Sequence, residues 1–250
     1  MTTDHSKPRA HEAPPKSAAI LVAAGDSTRM GLIAGRRKPL ADLEGLTVIE
    51  HVCRAFAAAR GVEEIVIVAH RDDLDALAAL VESSQHTTIV SAVVAGGATR
   101  TDSVGRGVEA SSADVELVAI HDGARPLIQS ATIERALVTA GEHGAALVAV
   151  PATDTIKRSL DGMSVAQTLE RSALWFAQTP QVFRRAAFLE LLQRASKDGL
   201  APTDDAALHE HYIGPVALVP GDATNLKLTT PTDLEIARAI LRARSAQRTM

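Results

Sequence analysis

The sequence predicts an α/β fold, with a mostly parallel sheet carrying helices on both faces. Three observations predict it. Short apolar runs alternate along the chain with segments of helical period. Several runs, such as SAAILVAAG and EEIVIVAH, read as buried or β-branched strands. Aromatic residues are only 2% of the 250, so the core is built from Ala, Val, Leu and Ile.

In order, SAAILVAAG is a strand, and TVIEHVCRAFAAARG is a helix that stops at Gly61. EEIVIVAH is a strand, and DDLDALAALVES is a helix with acidic residues in its first turn, where they complement the helix dipole. TTIVSAVVAGG is a strand, and TRTDSVGRGVEASS opens a helix. VELVAIHDG is a strand, SATIERALVTAGEHG a helix, and AALVAVPATDTIK a strand that turns irregular. Residues 151–181 break the rhythm. Two short strand-like pieces flank Asp161-Gly162, a hairpin signal for an arm projecting from the sheet. FRRAAFLELLQRAS and TDDAALHEHY are helical, PVALVPG is a strand, and PTDLEIARAILRARS closes as a helix. Pro231 sits near the start of that helix, where proline is tolerated.

Residues 1–17 read as a disordered polar tail without the apolar stretch of a secretory signal. Residues 18–250 read as one domain with the arm at about 151–181. The net charge of −4 and the scarcity of aromatics argue against nucleic acid as a partner. No run reaches membrane-spanning length. The single cysteine, Cys53, permits neither a disulfide within the chain nor a cysteine metal cluster, and a reducing, cytoplasmic setting is expected.

Four stretches carry chemistry. In AAGDSTRMG, small residues let backbone N–H groups approach a phosphate, and Arg29 offers a planar fork of donors. The stretch is neither a Walker loop nor a dinucleotide fingerprint. Taken alone, it also reads as a plain strand–helix turn with a solvated arginine. GRRKPLADLEG places Lys38 within reach of the same polyphosphate, or on a solvated face. AGGATRTDSVGRG suits a base or phosphate at a helix start, or is a glycine loop with an N-cap. In IHDGARP, Asp122 at a strand end suits Mg²⁺ shared with phosphate oxygens, or an Asx turn, and His121 reads as a core residue. His209 and His211 lack H-E-x-x-H spacing and read as surface residues.

Taken in order, AAGDSTRMG, KPLADLEGLTVIEH, GGATRTDSV, HDGARP, DTIK, ERSALWFAQTPQVF, TDDA and NLKLTTPTDL resemble one family along nearly the whole chain after the tail. It is the 2-C-methyl-D-erythritol 4-phosphate cytidylyltransferase family of non-mevalonate isoprenoid synthesis. DSV after GG-x-x-R, with D-x-A-R-P and T-P-Q following, is the most specific part. The resemblance implies a Rossmann-like nucleotidyltransferase fold, dimeric through the arm, that joins CTP to methylerythritol phosphate and releases pyrophosphate.

By motif, the resemblance puts Ala23, Ala24 and Gly25 at the CTP site, with Arg29 and Lys38 on the triphosphate. It puts Gly97, Ala98, Arg100 and Ser103 around the cytidine, and Mg²⁺ on Asp122. Arg125, Thr155 and Thr179, with Arg171 and Lys227, would meet the substrate phosphate and polyol. Arg171 would serve the neighbouring subunit's site. It also implies the form without the cyclodiphosphate synthase domain fused in some bacteria. Two departures stand out. Ser27 replaces a family glycine, and Arg37-Lys38-Pro39 stands where the family has Pro-Lys-Gln. Alternatives are a cytidylyltransferase for another polyol phosphate such as ribitol 5-phosphate, or a non-catalytic nucleotide-binding regulator. A dehydrogenase on a doubly wound sheet is disfavoured by the missing G-x-G-x-x-G.

Overall fold

A strand apolar on both faces needs cover on both sides, and β1 (Ser17–Ala23) receives it. Ala19 and Leu21 enter one buried cluster, while Ala18 and Ile20 enter another on the opposite face. The computed structural model describes residues 13–25 and 36–248. Ser27, Arg29 and residues 1–12 of the expected tail lie outside the described residues.

After β1, the short strands β2 (Asp42–Leu43) and β3 (Leu46–Thr47) pair as a hairpin and lead into α1 (Val48–Ala57). Thr47 and Glu50 cap α1 reciprocally, which fixes where the helix starts. Next come β4 (Val62–Ala69), α2 (Leu74–Ser83), β5 (Val90–Ala95), α3 (Arg100–Ala110) and β6 (Leu117–Asp122). Then follow α4 (Ser130–His143), β7 (Ala145–Pro151) and a small hairpin of β8 (Lys157–Arg158) with β9 (Gln167–Thr168). β10 (Trp175–Arg184), α5 (Arg185–Asp198), α6 (Asp205–Tyr212), β11 (Ala217–Pro220) and α7 (Pro231–Arg248) complete the described chain.

Among the described residues, seven strands form one sheet in the order β11-β7-β10-β6-β1-β4-β5. All of its neighbours pair in parallel except β10, which runs antiparallel to both β6 and β7. One face packs on α1, α2 and α4 through Phe56, Leu77 and Leu137. The other packs on α3, α5 and α6 through Val108, Phe188 and Leu208. This is the predicted α/β architecture. No helix among the described residues is long and apolar enough to cross a membrane.

Two local readings change. The sequence showed no strand ahead of the helix at FRRAAF, yet Trp175–Arg184 is a ten-residue strand inside the sheet. Pro180 interrupts its pattern. The ladder to β7 breaks between Ala177 and Gln181, and pairing with β6 begins at Gln181, so no ladder bond is asked of the proline. His209 is buried rather than on the surface. Its Nδ1 lies 3.0 Å from the Gly214 carbonyl, and its ring stacks on Phe183.

The order of the sheet places the site. From β1 the chain moves outward to β4 and β5, then returns to lay β6 on the other side of β1. The order therefore reverses between β1 and β6, and a crevice opens at their carboxyl ends.

Candidate active site

Backbone builds the walls of this crevice, a cleft of about 630 Å³. Ala23, Ala24 and Gly25 line it where β1 ends, and Gly97 and Ala98 line it beyond β5. A methyl group on Gly96 would collide with that of Ala24, and one on Gly97 with the side chain of Asp102. Glycine alone lets these two turns close so tightly. The turn is then locked. Ser103 Oγ accepts the Gly97 N–H (3.0 Å) and donates to the Thr99 carbonyl (2.9 Å). Thr99 and Asp102 cap α3 reciprocally at 3.0 Å each way. The positive end of α3 thus opens on the cleft, since Thr99 and Arg100 line it.

The floor is Asp122, at the last position of β6 and 8% exposed. Three cations converge on its carboxylate from distant parts of the chain. Lys227 Nζ lies 2.9 Å from Oδ2, Arg125 Nε 3.3 Å from Oδ2, and Arg100 3.9 Å from Oδ1. Burial alone would raise the pKa of this carboxyl. Lys227, Arg125 and Arg100 outweigh burial and hold it at about 2. Arg100 also grips Asp205, at the start of α6, with two parallel hydrogen bonds of 2.9 and 2.7 Å.

Behind the floor lies a second layer of polar groups. Thr179 Oγ1 accepts the Asp122 N–H (3.1 Å) and sits 2.9 Å from His121 Nδ1. His121 Nε2 faces the Arg125 carbonyl at 3.2 Å, so it must carry the ring proton. Nδ1 therefore accepts, and the Thr179 hydroxyl donates. Burial holds His121 neutral, with a pKa lowered to about 4 although Asp122 opposes the change. Arg125 donates from its other arm to the Asn225 carbonyl (2.8 Å). The Asn225 amide in turn donates to Gln178 Oε1 and the Thr179 carbonyl, both at 3.0 Å. Two residues on, Lys227 reaches Asp122.

The residues expected at the site divide into groups. Lys38, Arg100, Ser103, Asp122 and Lys227 line the cleft together with the backbone of the two turns. Arg125 and Thr179 sit behind it, with their polar atoms committed to Asp122, His121 and Asn225. Thr155 and Arg171 stand exposed at the base of the arm, where Arg171 donates to the Thr153 carbonyl (2.8 Å). Arg29 lies outside the described residues. Sequence reasoning assigned no role to Gln178, Asn225 or Asp205. Gln178 stands just before T-P-Q, while N-L-K and T-D-D contain Asn225 and Asp205, but nothing local shows that these stretches meet.

For a cation, the described lining of the cleft offers one carboxylate, Asp122, and it is already ionised. An ion held there would need further ligands from outside the protein, which suits Mg²⁺. Among the described residues, no group of three or more His, Cys, Asp or Glu converges as a metal cage.

Known proteins share this architecture and sequence. A family model for 2-C-methyl-D-erythritol 4-phosphate cytidylyltransferase matches residues 17–243. The protein of that name from Bacillus licheniformis is 41% identical over 224 residues, covering 90% of this chain and 95% of its own. That from Solibacter usitatus is 41% identical over 243 residues, covering 94% and 99%. The crystal structure of 4-diphosphocytidyl-2C-methyl-D-erythritol synthase from Anaerococcus prevotii superposes with a TM-score of 0.79 at 28% identity, covering 91% and 96%.

Proposed function

Because the chain belongs to the 2-C-methyl-D-erythritol 4-phosphate cytidylyltransferase family, we propose that CTP lies against the β1 and β5 turns, with the acceptor phosphate at Lys227. The enzyme transfers CMP from CTP to 2-C-methyl-D-erythritol 4-phosphate. The products are 4-diphosphocytidyl-2-C-methyl-D-erythritol and pyrophosphate, within the non-mevalonate route to isoprenoid precursors. One observation carries the assignment of the site: Lys227 and Arg100 meet Asp122 on the floor of a cleft walled by glycine turns.

The chemistry follows from charge. An oxygen of the acceptor phosphate attacks the α-phosphorus of CTP, one P–O bond forms, and the bond to the bridging oxygen of pyrophosphate breaks. The nucleophile is already an anion, so no strong base is needed. The obstacle is repulsion between two anions, and catalysis is positioning and charge neutralisation. Lys38 faces the triphosphate, and the motif resemblance gives Arg29 the same task. Lys227 aims the attacking phosphate. Arg125 and Thr179 act through Asp122, which they hold in place. Asp122 would hold Mg²⁺, which would supply a divalent positive charge to offset the repulsion between the two anions.

We assign residues 18–250 to one nucleotidyltransferase unit with the arm at about 151–181, working in the cytoplasm as a homodimer. Leu160, Met163 and Val165 on the arm are exposed apolar side chains that suit burial against a second copy. Arg171 and Thr155 at the arm's base would then serve the partner's cleft. Pyrophosphate release with CTP, ATP and GTP, each crossed with methylerythritol phosphate and ribitol 5-phosphate, tests the whole reading. Release is expected with CTP and methylerythritol phosphate, and preference for ribitol 5-phosphate would refute the acceptor.

A further inference from the structure

Lys38 reaches the cleft from a short segment that is held differently at its two ends. On the carboxyl side the hold is apolar and local. Pro39, Leu40 and Ala41 are buried, and a single turn closes through Leu40 N–H to the Arg37 carbonyl (3.0 Å) and Ala41 N–H to the Lys38 carbonyl (3.2 Å). On the amino side the hold is ionic and comes from far along the chain. Arg37 lies 2.6 Å from Asp72 Oδ2, and its Nε lies 3.5 Å from Asp73 Oδ2.

Both carboxylates sit on a short turn, Arg71–Asp73, that follows β4. That turn is itself pinned to the end of the strand. The Asp72 N–H donates to His70 Nδ1 (3.2 Å), and the Asp73 N–H to the His70 carbonyl (2.9 Å). His70 and Arg71 line the same cleft as Lys38. The ion pair therefore ties the residue before Lys38 to a fixed edge of the nucleotide site.

The environments of the two carboxylates differ. Asp72 is largely exposed, and an exposed ion pair adds little to folding stability. The Asp73 side chain is only 10% exposed, and its Oδ2 has no hydrogen-bond partner. Arg37 is the cation beside that buried oxygen. A guanidinium held between one exposed and one buried carboxylate has little freedom to move, and neither has the backbone that carries it.

We propose that Arg37 is a positioning residue for the reaction: through Asp72 and Asp73 it sets where Lys38 stands in the triphosphate cleft. This rests on the role given to Lys38 above. A lysine ammonium is a point charge on a flexible stem, so its effect in a transition state depends on where its backbone is fixed. Arg37 does not line the cleft and acts only through its neighbour.

The test is a double-mutant cycle read by steady-state kinetics. Arg37→Gln lowers kcat/KM for CTP about tenfold and leaves KM for the acceptor phosphate unchanged. In a Lys38→Ala background the same substitution changes kcat/KM for CTP by less than about twofold, because its route of action is gone. Asp72→Asn removes the short contact but leaves Arg37 beside the buried Asp73. It gives a smaller loss of the same kind, and it carries the test should Arg37→Gln fold poorly. Wild-type kcat/KM for CTP in both single variants overturns the proposal, as does an undiminished Arg37→Gln effect when Lys38 is absent. Lys38→Ala separates the two layers of the argument. Normal turnover there defeats the role of Lys38 itself, while impaired turnover with a silent Arg37→Gln defeats only the positioning claim.

Discussion

Around Asp122, polar side chains bond to partners far away in sequence, whereas along the β8–β9 arm they bond to near neighbours. His121 and Thr179 are 58 residues apart, and Arg125 and Asn225 are 100 apart. On the arm, Asp161 binds Ser164 three residues on, and Lys157 binds Thr168 eleven on. The cleft floor is buried, and its described polar groups are interlocked within one chain. The arm keeps its own turn but leaves Met163 91% exposed and Leu160 77% exposed. The contrast teaches that the two regions answer to different partners. The floor is finished by the fold, and the exposed apolar arm is what the proposed dimer would finish.

The sharpest break in that contrast comes from the floor. Lys227→Ala is expected to lower kcat roughly a hundredfold, about 3 kcal/mol of transition-state stabilisation, by analogy with the loss of one preorganised charge donor. Circular dichroism should show the fold retained. Undiminished turnover would remove Lys227 from the chemistry.

Acid sensitivity follows next. In the folded chain His121 titrates at about 4 instead of 6.5. The unfolded chain takes up that proton first, so stability falls as pH drops from about 6.5 to 4. The loss over that window is about 3 kcal/mol. Asp122, lowered from 3.8 to about 2, favours the folded state above pH 4, and its share is lost only at lower pH. Urea unfolding of the wild type and His121→Gln at pH 7, 5.5 and 4 checks this. Parallel acid limbs in the two proteins would contradict the assignment.

Thr179→Val tests whether the second layer positions Asp122. It strips the partner from the Asp122 N–H and from His121 Nδ1, at an expected cost of about 1–3 kcal/mol in stability. A kcat that falls while KM for CTP stays level supports positioning, and wild-type kcat with only lower stability speaks against it. The smallest effect on protomer stability belongs to the arm. Replacing Leu160, Met163 and Val165 together by Asp should alter protomer stability by no more than about 0.5 kcal/mol each. Light scattering should nonetheless show the mass fall from dimer to monomer. A mass that does not change would leave the arm's apolar residues unexplained.

Much of the architecture was legible because it is local. Strand–helix alternation and the two turns before Gly25 and at Gly96-Gly97 each lie within a short window. β10 was not legible, because WFAQTPQVF lacks clean alternation and carries a proline, and only its neighbours β6 and β7 make it a strand. His209 was misplaced for a similar reason, since its burial depends on Phe183 packing against it. Lys38, Asp122 and Lys227, expected from the motifs, line the cleft. Gln178, Asn225 and Asp205 were not legible, because their side-chain partners lie 44 to 105 residues away.

By itself the sequence determined what most segments become, β10 excepted, and which residue types stand at the strand ends. Those outcomes depend on backbone sterics and on periodicities of a few residues. Tertiary structure alone decided that Arg100, Arg125 and Lys227 share one carboxylate, and that Arg37 meets Asp72 beside the nucleotide cleft. Such meetings depend on the order of strands in the sheet. That order follows from which apolar faces can be buried together, and no short window of sequence contains it.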